Sequence, residues 1–413
     1  MTMTIAPAVF QAKWTPANQH LKPLEKTCLQ KIARVAWNIL SILIPPIGLA
    51  RLIGYGIGRL ANYIILPAAH YPRHIVEKAH RDFQEFWHGE NIKSDEQRTL
   101  RRFFLARDYT CKTPDYKCRI DDKGVLKITD GADLAITHFQ HADAKEETPT
   151  IICFQQNGAI KNLICSEPNT PLEELNPYLV LQVASILKRT PCNFVIFDYR
   201  SVGDSKGVFK GTKDLEIDSC SIVQWVETAL GVPKNQIQFY GASLGGGTSV
   251  LAQATDPQLT GPNGNERSFA STEEMIRAIL GRTIFKCLSG FIARVVKMQG
   301  YDLNPAAAFP KLPGKKLVIY HPEDNVIPFG PSMKKQIGAV EHESLHLEIH
   351  PALQRVSRIN GHHNTPVHCY NVNGTEESAL NRISNFMFNL APDAKPIIDI
   401  RVEDKQPYLA LRP

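Results

Sequence analysis

The 413-residue sequence contains no Cys-x-x-Cys pair. Its nine cysteines, at positions 28, 111, 118, 153, 165, 192, 220, 287 and 369, follow neither a zinc-site nor a disulfide-framework spacing. Reduced cysteines of a cytosol-like compartment are therefore expected, with no metal bound through thiols. The chain also lacks a continuous run of about 20 apolar residues, the length of a clean membrane-spanning helix. Its N-terminus lacks the basic-then-apolar order of a secretory signal. No Lys/Arg-rich run is interleaved with aromatics, which argues against a nucleic-acid partner. Internal repeats and low-complexity tracts are missing too.

What is present is the composition of an ordinary globular protein, 43% hydrophobic and 21% charged. A chain of this length allows one large domain with extensions, or two domains. Its 47 Lys and Arg against 41 Asp and Glu give a net charge of +6. The excess lies at one end: Met1 to Asp108 hold fifteen basic and eight acidic residues. Such a segment could meet an anionic membrane surface.

Hydrophobicity accompanies this charge. The stretch between Arg34 and Arg51, VAWNILSILIPPIGLA, is free of charge, and LANYIILPAA follows Arg59. Pro45 and Pro46 interrupt the first run, and Gly54, Gly56 and Gly58 weaken the next. Two readings of residues 35–70 stand side by side. They form a broken hairpin in or on a membrane with arginines at the headgroups, or apolar helices packed on the main domain. Residues 73 to about 107 read as a polar amphipathic helix. The expected organisation is a basic, apolar, helical segment over 1–109, an α/β domain over 110–392 and a tail over 393–413.

From residue 110 short β-rich runs alternate with helical stretches, the pattern of βαβ units and a mainly parallel sheet. Strands are expected at Ala135–Phe139, Thr150–Phe154, Asn193–Asp198, Gln236–Tyr240, Leu317–Tyr320 and Leu345–His350. Helices are expected at Pro177–Lys188, Asp214–Leu230, Leu244–Ala254, Ser271–Met298 and Glu376–Phe388. The fourth of these opens with a capping box, Ser271-Thr272-Glu273-Glu274. It then carries broad apolar faces that suit either core helices or a cap over an acyl pocket, within 257–312.

The strand Gln236–Tyr240 runs into Gly241-Ala242-Ser243-Leu244-Gly245-Gly246. This is G-x-S-x-G with a buried strand before it and a helix after it, the context a nucleophile elbow needs. Small neighbours let the tight turn close, and the serine hydroxyl is pushed out at a helix N-terminus, where N–H groups can stabilise an oxyanion. A serine nucleophile needs a base, and the base an orienting carboxylate. After the strand Leu317–Tyr320 comes His321-Pro322-Glu323-Asp324-Asn325-Val326-Ile327-Pro328, and after Leu345–His350 comes Gly361-His362-His363-Asn364. Serine, acid and histidine thus arrive in order, each beyond a strand end.

These residues resemble the α/β-hydrolase superfamily of serine esterases, lipases and thioesterases, over about 110–390. Asp198-Tyr199-Arg200-Ser201-Val202-Gly203-Asp204-Ser205-Lys206-Gly207 is similar to its "D-Y-R-G-x-G-x-S-x-G" loop. Asp324-Asn325-Val326-Ile327-Pro328 resembles its acid loop, and His363-Asn364 its histidine loop. The resemblance implies a catalytic triad of Ser243, Asp324 and His363, with Asp324 preferred to Glu323 and His363 to His362. It implies a nucleophile elbow framed by Gly241 and Gly245, and an oxyanion hole from the N–H groups of Asn157 and Leu244. Within the superfamily the chain also resembles hydrolase-like proteins of intracellular bacteria such as Chlamydia and Legionella. The implied activity is hydrolysis of an ester or thioester with no cofactor, and the apolar N-terminal segment and candidate cap favour a lipid or acyl-chain substrate. A peptidase of the same fold and a non-catalytic membrane-associated scaffold are the rival readings.

Two departures stand out. Gln155-Gln156 replaces the family's His-Gly, so the side chain of Gln156 could crowd the hole or add a donor. The stretch Gln258–Arg267, where the sixth strand of the family belongs, is polar and rich in Gly and Pro, and is expected as a loop or a displaced strand. His342-Glu343-Ser344-Leu345-His346 matches the zincin pattern H-E-x-x-H, but LHLEIH alternates with period two. On a strand those histidines would stand about 13 Å apart, at about 3.3 Å per residue, too far to share a zinc ion. Gly245-Gly246-Gly247 lacks the lysine of a phosphate loop. Asp204 and Asp218 precede Ser243 and fit the triad order poorly, while Cys153 and Cys165, flanking the oxyanion loop, read as buried structural thiols.

Overall fold

The computed structural model describes residues 9–22, 65–90, 95–114, 118–120, 126–128, 131–164, 177–283, 286–337, 344–351, 370–372 and 377–391, and single positions 33, 36, 56, 363, 367 and 375. Most of the 35–70 segment, and with it the choice between its two readings, lies outside these residues, as does the 393–413 tail. Among the described residues no helix is long and apolar enough to cross a membrane.

The runs richest in Val, Ile and Phe become the central strands, because a strand covered on both faces must be apolar throughout. Strands β6 (Thr150–Phe154), β7 (Asn193–Phe197), β8 (Ile237–Ala242), β9 (Asn263–Glu266), β10 (Lys316–Tyr320) and β11 (Ser344–Pro351) run parallel, in the order β7-β6-β8-β9-β10-β11. Beyond β7 the sheet continues antiparallel through β5 (Asp133–His141) and β2 (Phe104–Lys112), and β1 (Val9–Gln11) closes that edge parallel to β2. The far edge is β12 (Tyr370–Val372), antiparallel to β11. Strands β3 (Cys118–Ile120) and β4 (Leu126–Ile128) form a separate hairpin. This ten-stranded, mostly parallel α/β sheet is consistent with an α/β-hydrolase.

Side chains alternate across the sheet and divide the core in two. Ile152, Phe154, Val195 and Phe197 face the layer holding α4 (Thr212–Ala229). Ile151, Cys153, Phe194 and Ile196 face the other, with α1 (Arg73–His88), α3 (Pro177–Leu187) and α10 (Ala379–Met387). The remaining helices are α2 (Asp95–Phe103), α5 (Leu244–Gln253), α6 (Thr272–Gly281), α7 (Ser289–Met298), α8 (Pro305–Ala308) and α9 (Met333–Ile337).

Three expectations are corrected here. The single helix expected over 73 to about 107 is two, α1 (Arg73–His88) and α2 (Asp95–Phe103), and Phe104 begins the long strand β2. Its alternating buried and exposed pattern at Phe104, Leu105, Ala106 and Arg107 suits a sheet face. The polar stretch Gln258–Arg267, expected as a loop or a displaced strand, holds strand β9 in its place between β8 and β10. Asn263 donates from Nδ2 to Gln253 Oε1 at 3.0 Å, and Tyr240 Oη donates to the Glu266 carboxylate, whereas Asn263 Oδ1 and the Asn265 side-chain amide are buried with no hydrogen bond among the described residues. Gly264 makes room for the Tyr240 ring, which a Cβ would approach to 2.6 Å. The helix expected over Ser271–Met298 is a hairpin of α6 and α7, broken after Gly281, where the Thr283 hydroxyl closes the turn on the Leu280 carbonyl at 2.8 Å. Its start is capped as expected, Ser271 Oγ accepting from Glu274 N at 3.1 Å.

Two polar clusters fix the loops that leave the sheet. Arg200, buried after β7, donates to Asp218 at 2.9 Å from Nε and 2.6 Å from Nη2, and to Asp214 at 2.8 Å from Nη1. Removing one partner of such a buried set costs about 3–5 kcal/mol. Helix α1 is tied to the sheet by His80 Nδ1, 3.0 Å from Asp204 Oδ2, and by Gln84, which donates to Asp108 at 3.0 Å. The buried Lys161 ammonium lies within 3.6 Å of both carboxylates. Asp204 and Asp218 are thus engaged in structural pairs.

Candidate active site

Strand β8 ends at Ala242 and α5 begins at Leu244, leaving Ser243 alone in the turn. Its backbone is held at φ 54° and ψ −117°, a conformation that non-glycine residues avoid and that costs about 1–3 kcal/mol. What holds it there is local. Ser243 N donates to the Glu266 carbonyl of β9 at 2.8 Å, and the Ser243 carbonyl accepts from Gly246 N at 3.1 Å. The flanking glycines are steric necessities: a Cβ on Gly241 would lie 2.3 Å from the Gly245 carbonyl oxygen, and one on Gly245 would lie 1.9 Å from that of Phe154. The second contact also shows that the end of β6 packs directly on the elbow.

Asp324 and His363 reach Ser243 from two later parts of the chain. Asp324 follows β10, and His363 lies between β11 and β12. His363 Nε2 is 2.9 Å from Ser243 Oγ, and its Nδ1 is 2.8 Å from Asp324 Oδ2. The other oxygen, Asp324 Oδ1, accepts from Ile327 N at 2.7 Å and Val326 N at 2.9 Å. Burial opposes the charge on Asp324, but His363 and these two N–H donors outweigh it and hold the carboxyl below its usual range. All three side chains are buried. It is Asp324, not Glu323, that meets the imidazole; the Glu323 N–H turns to His321 Nδ1 at 3.1 Å. His362 lies outside the described residues.

The loop after β6 passes beside the elbow, and Leu244 opens α5, whose first N–H groups have no partner within the helix. Asn157 sits in a turn of that loop. Gln156 is half-buried, while Gln155 is buried with neither amide atom hydrogen-bonded among the described residues. Cys153, on β6 just before this loop, is buried, and burial pushes its thiol well up, out of the range of a thiolate nucleophile. Cys165 lies outside the described residues. Of the H-E-x-x-H match, His346 lies on β11 opposite Val318.

Sequence patterns pointed to none of the groups that brace this site from outside the motifs. Ala68 N donates to the Asn157 carbonyl at 3.3 Å, and Tyr71 Oη donates to the Gly158 carbonyl at 2.6 Å. Both come from the N-terminal part of the chain and carry no motif. Arg267, after β9, is buried against Glu266 and lies over the Tyr370 ring, 5.7 Å from its centroid. Burial opposes the Arg267 charge, but Glu266 beside it, with Asp324 among the further negative groups, raises its pKa.

No protein-family model matches the chain, and no curated protein matches it in sequence. Among solved structures it is similar to the esterase Pf2001 of Pyrococcus furiosus, at 12% identity over 61% of this chain and 82% of that one, with a TM-score of 0.39. It is similar to acetyl xylan esterase 1 of Thermoanaerobacterium sp., at 14% identity over 67% of this chain and 91% of that one, TM-score 0.38. An alpha-beta serine hydrolase homologue of Coxiella burnetii shares 15% identity over 52% of this chain and 82% of its own, TM-score 0.31. These distant likenesses concern fold and single out no subfamily and no group of organisms.

Proposed function

We propose that the chain is a serine hydrolase that cleaves a carboxylic ester or thioester, with an acyl-chain or lipid substrate. The observation that carries this reading is the unbroken line Ser243–His363–Asp324, at 2.9 and 2.8 Å, on a serine held in a strained elbow. Hydrogen bonds of this length on both imidazole nitrogens are what a base–orienter pair requires.

In this mechanism Asp324 fixes the imidazole tautomer that carries its proton on Nδ1, leaving the Nε2 lone pair toward Ser243. Ser243 Oγ attacks the acyl carbonyl while its proton passes to Nε2, and the carbonyl electrons move onto oxygen. The N–H groups of Asn157 and Leu244 receive that oxyanion; losing one such donor typically lowers the rate by about 10²–10³. Collapse of the tetrahedral species breaks the bond to the alcohol or thiol, which leaves with the proton from His363. Water then repeats the sequence on the acyl-serine: its proton goes to Nε2, and collapse returns that proton to Oγ and frees the acid.

The test is labelling by a fluorophosphonate, which phosphonylates an activated serine. Wild type should label, while Ser243→Ala and His363→Ala should not, with all three equally folded by circular dichroism. Folded wild type that stays unlabelled, with detergent or lipid also tried, would sink the proposal and leave the scaffold reading. A chain-length series of acyl esters run beside amide substrates separates an esterase from a peptidase.

A further inference from the structure

The acid loop does not stand alone at the surface. Arg282, at the end of α6, places Nη1 3.5 Å from the carbonyl of Asn325, the residue after Asp324. The α6–α7 hairpin is thereby set beside the triad acid. Ten large apolar side chains are exposed among the described residues, and six of them fall here. Ile279, Leu288, Phe291 and Met298 are on the hairpin; Val326 and Phe329 are on the acid loop. Phe291 is 64% and Met298 83% exposed, values at odds with a helix that exists only to cover a core.

The polar residues of the hairpin are lopsided too. From Thr272 to Met298 there are five basic residues, Arg277, Arg282, Lys286, Arg294 and Lys297, and two acidic ones, Glu273 and Glu274, both in the first turn of α6. Arg277 and Lys297 pair with Glu273. Arg282, Lys286 and Arg294 are exposed and form no ion pair among the described residues. On α7 the exposed face reads Phe291, Arg294, Met298, at helical spacing of three and four, while Ala293 and Val296 are buried on the opposite side. Large apolar tips with Arg294 among them on one helix face, and Arg282 and Lys286 between the two helices, suit a bilayer interface with anionic headgroups, where the tips enter the acyl boundary and the cations meet phosphate. A protein partner of matching acidity would not call for side chains as unsupported as Met298.

We propose that the α6–α7 hairpin, together with the tip of the acid loop, docks the protein on an anionic lipid surface, so that the triad opens toward lipid-borne acyl groups. Docking itself is independent of catalysis; the second clause rests on the reading of Ser243 as a nucleophile.

The experiment is sedimentation of the full chain with vesicles of phosphatidylcholine alone, and with vesicles of equimolar phosphatidylcholine and phosphatidylglycerol. Wild type should pellet with the second and not with the first. Each Lys or Arg near an anionic surface contributes roughly a fivefold factor in partitioning, so Lys286→Glu with Arg294→Glu should weaken binding at least about 25-fold. Phe291→Ser with Met298→Ser should also release the protein, while a water-soluble fluorophosphonate labels both double variants at the wild-type rate. Wild type that ignores both vesicles, or binds them equally, overturns the proposal. So do variants that bind as wild type does, which would assign any membrane affinity to residues elsewhere in the chain. Sedimentation velocity without lipid covers the remaining occupant: a dimer broken by Phe291→Ser would make this face a contact between copies and overturn lipid docking. Loss of labelling in wild type would refute the nucleophile and leave the vesicle result standing.

Discussion

Ser243 carries two burdens, a backbone conformation foreign to L-residues and the hydroxyl assigned to chemistry, and substitutions separate them. Ser243→Ala removes only the hydroxyl and should abolish labelling. Ser243→Gly also releases the strain, and should exceed Ser243→Ala in urea-unfolding stability by about 1–3 kcal/mol. Equal stabilities would mean the elbow is not strained. Asp324→Asn keeps the shape of the acid but favours the wrong imidazole tautomer, and should lower kcat by about 10⁴ with little change in KM. The Asp324 carboxyl is held below its unfolded value near 3.9, so its contribution to stability is present above that pH and is lost as pH falls through the folded value. The candidate triad was legible in the sequence because each member follows a strand that could be read. The bracing groups were not, because Tyr71 and Ala68 act through an ordinary hydroxyl and a backbone N–H.

At the scale of elements, legibility followed burial. Phe194 to Phe197 and Ile151 to Phe154 are buried on both faces, so their apolar runs announced β7 and β6. Strand β9 hid because tertiary partners, not side-chain type, make Asn263, Gly264, Asn265 and Glu266 extended. Its ladders to β8 and β10 supply the backbone bonds, while Gln253 and Tyr240 supply side-chain bonds. Gly264→Val tests this. It raises intrinsic strand propensity, yet its Cβ would meet the Tyr240 ring at 2.6 Å and Met387 Sδ at 3.1 Å. The expected outcome is a loss of about 2 kcal/mol or more in urea unfolding. A gain would show that propensity governs this strand after all. Gly281→Ala is the control, since nothing lies within 4 Å of its Cβ; it should be neutral or stabilise by up to about 1 kcal/mol.

For the whole molecule, buried ionisable groups shape stability as pH changes. His138, on β5 beneath Trp225, is pushed down to about 4, by burial first and by the Arg107 charge second. Between about pH 6.5 and pH 4 the unfolded chain takes up a proton there and the folded chain does not. Stability therefore falls with pH across that window, by up to about 3 kcal/mol from this group. His138→Phe should flatten that part of a melting-temperature profile; an unchanged slope would assign acid sensitivity to other groups. The N-terminal quarter is where a reading by composition went least far. Its basic and apolar character gave no sign that Val9–Gln11 pairs with β2, or that residues 68–71 reach the loop after β6.

That last contact puts the chain segment ahead of α1 mechanically in series with the loop of the proposed oxyanion hole. Residues 65–72 meet that loop at two of its carbonyls, those of Asn157 and Gly158, so any displacement of this segment bears on them. Tyr71→Phe removes one of these two contacts. It should cost about 1 kcal/mol in urea-unfolding stability and, on the proposed reading, lower kcat with little change in KM. On the proposed reading, the segment ahead of α1 is part of what holds the oxyanion loop in place.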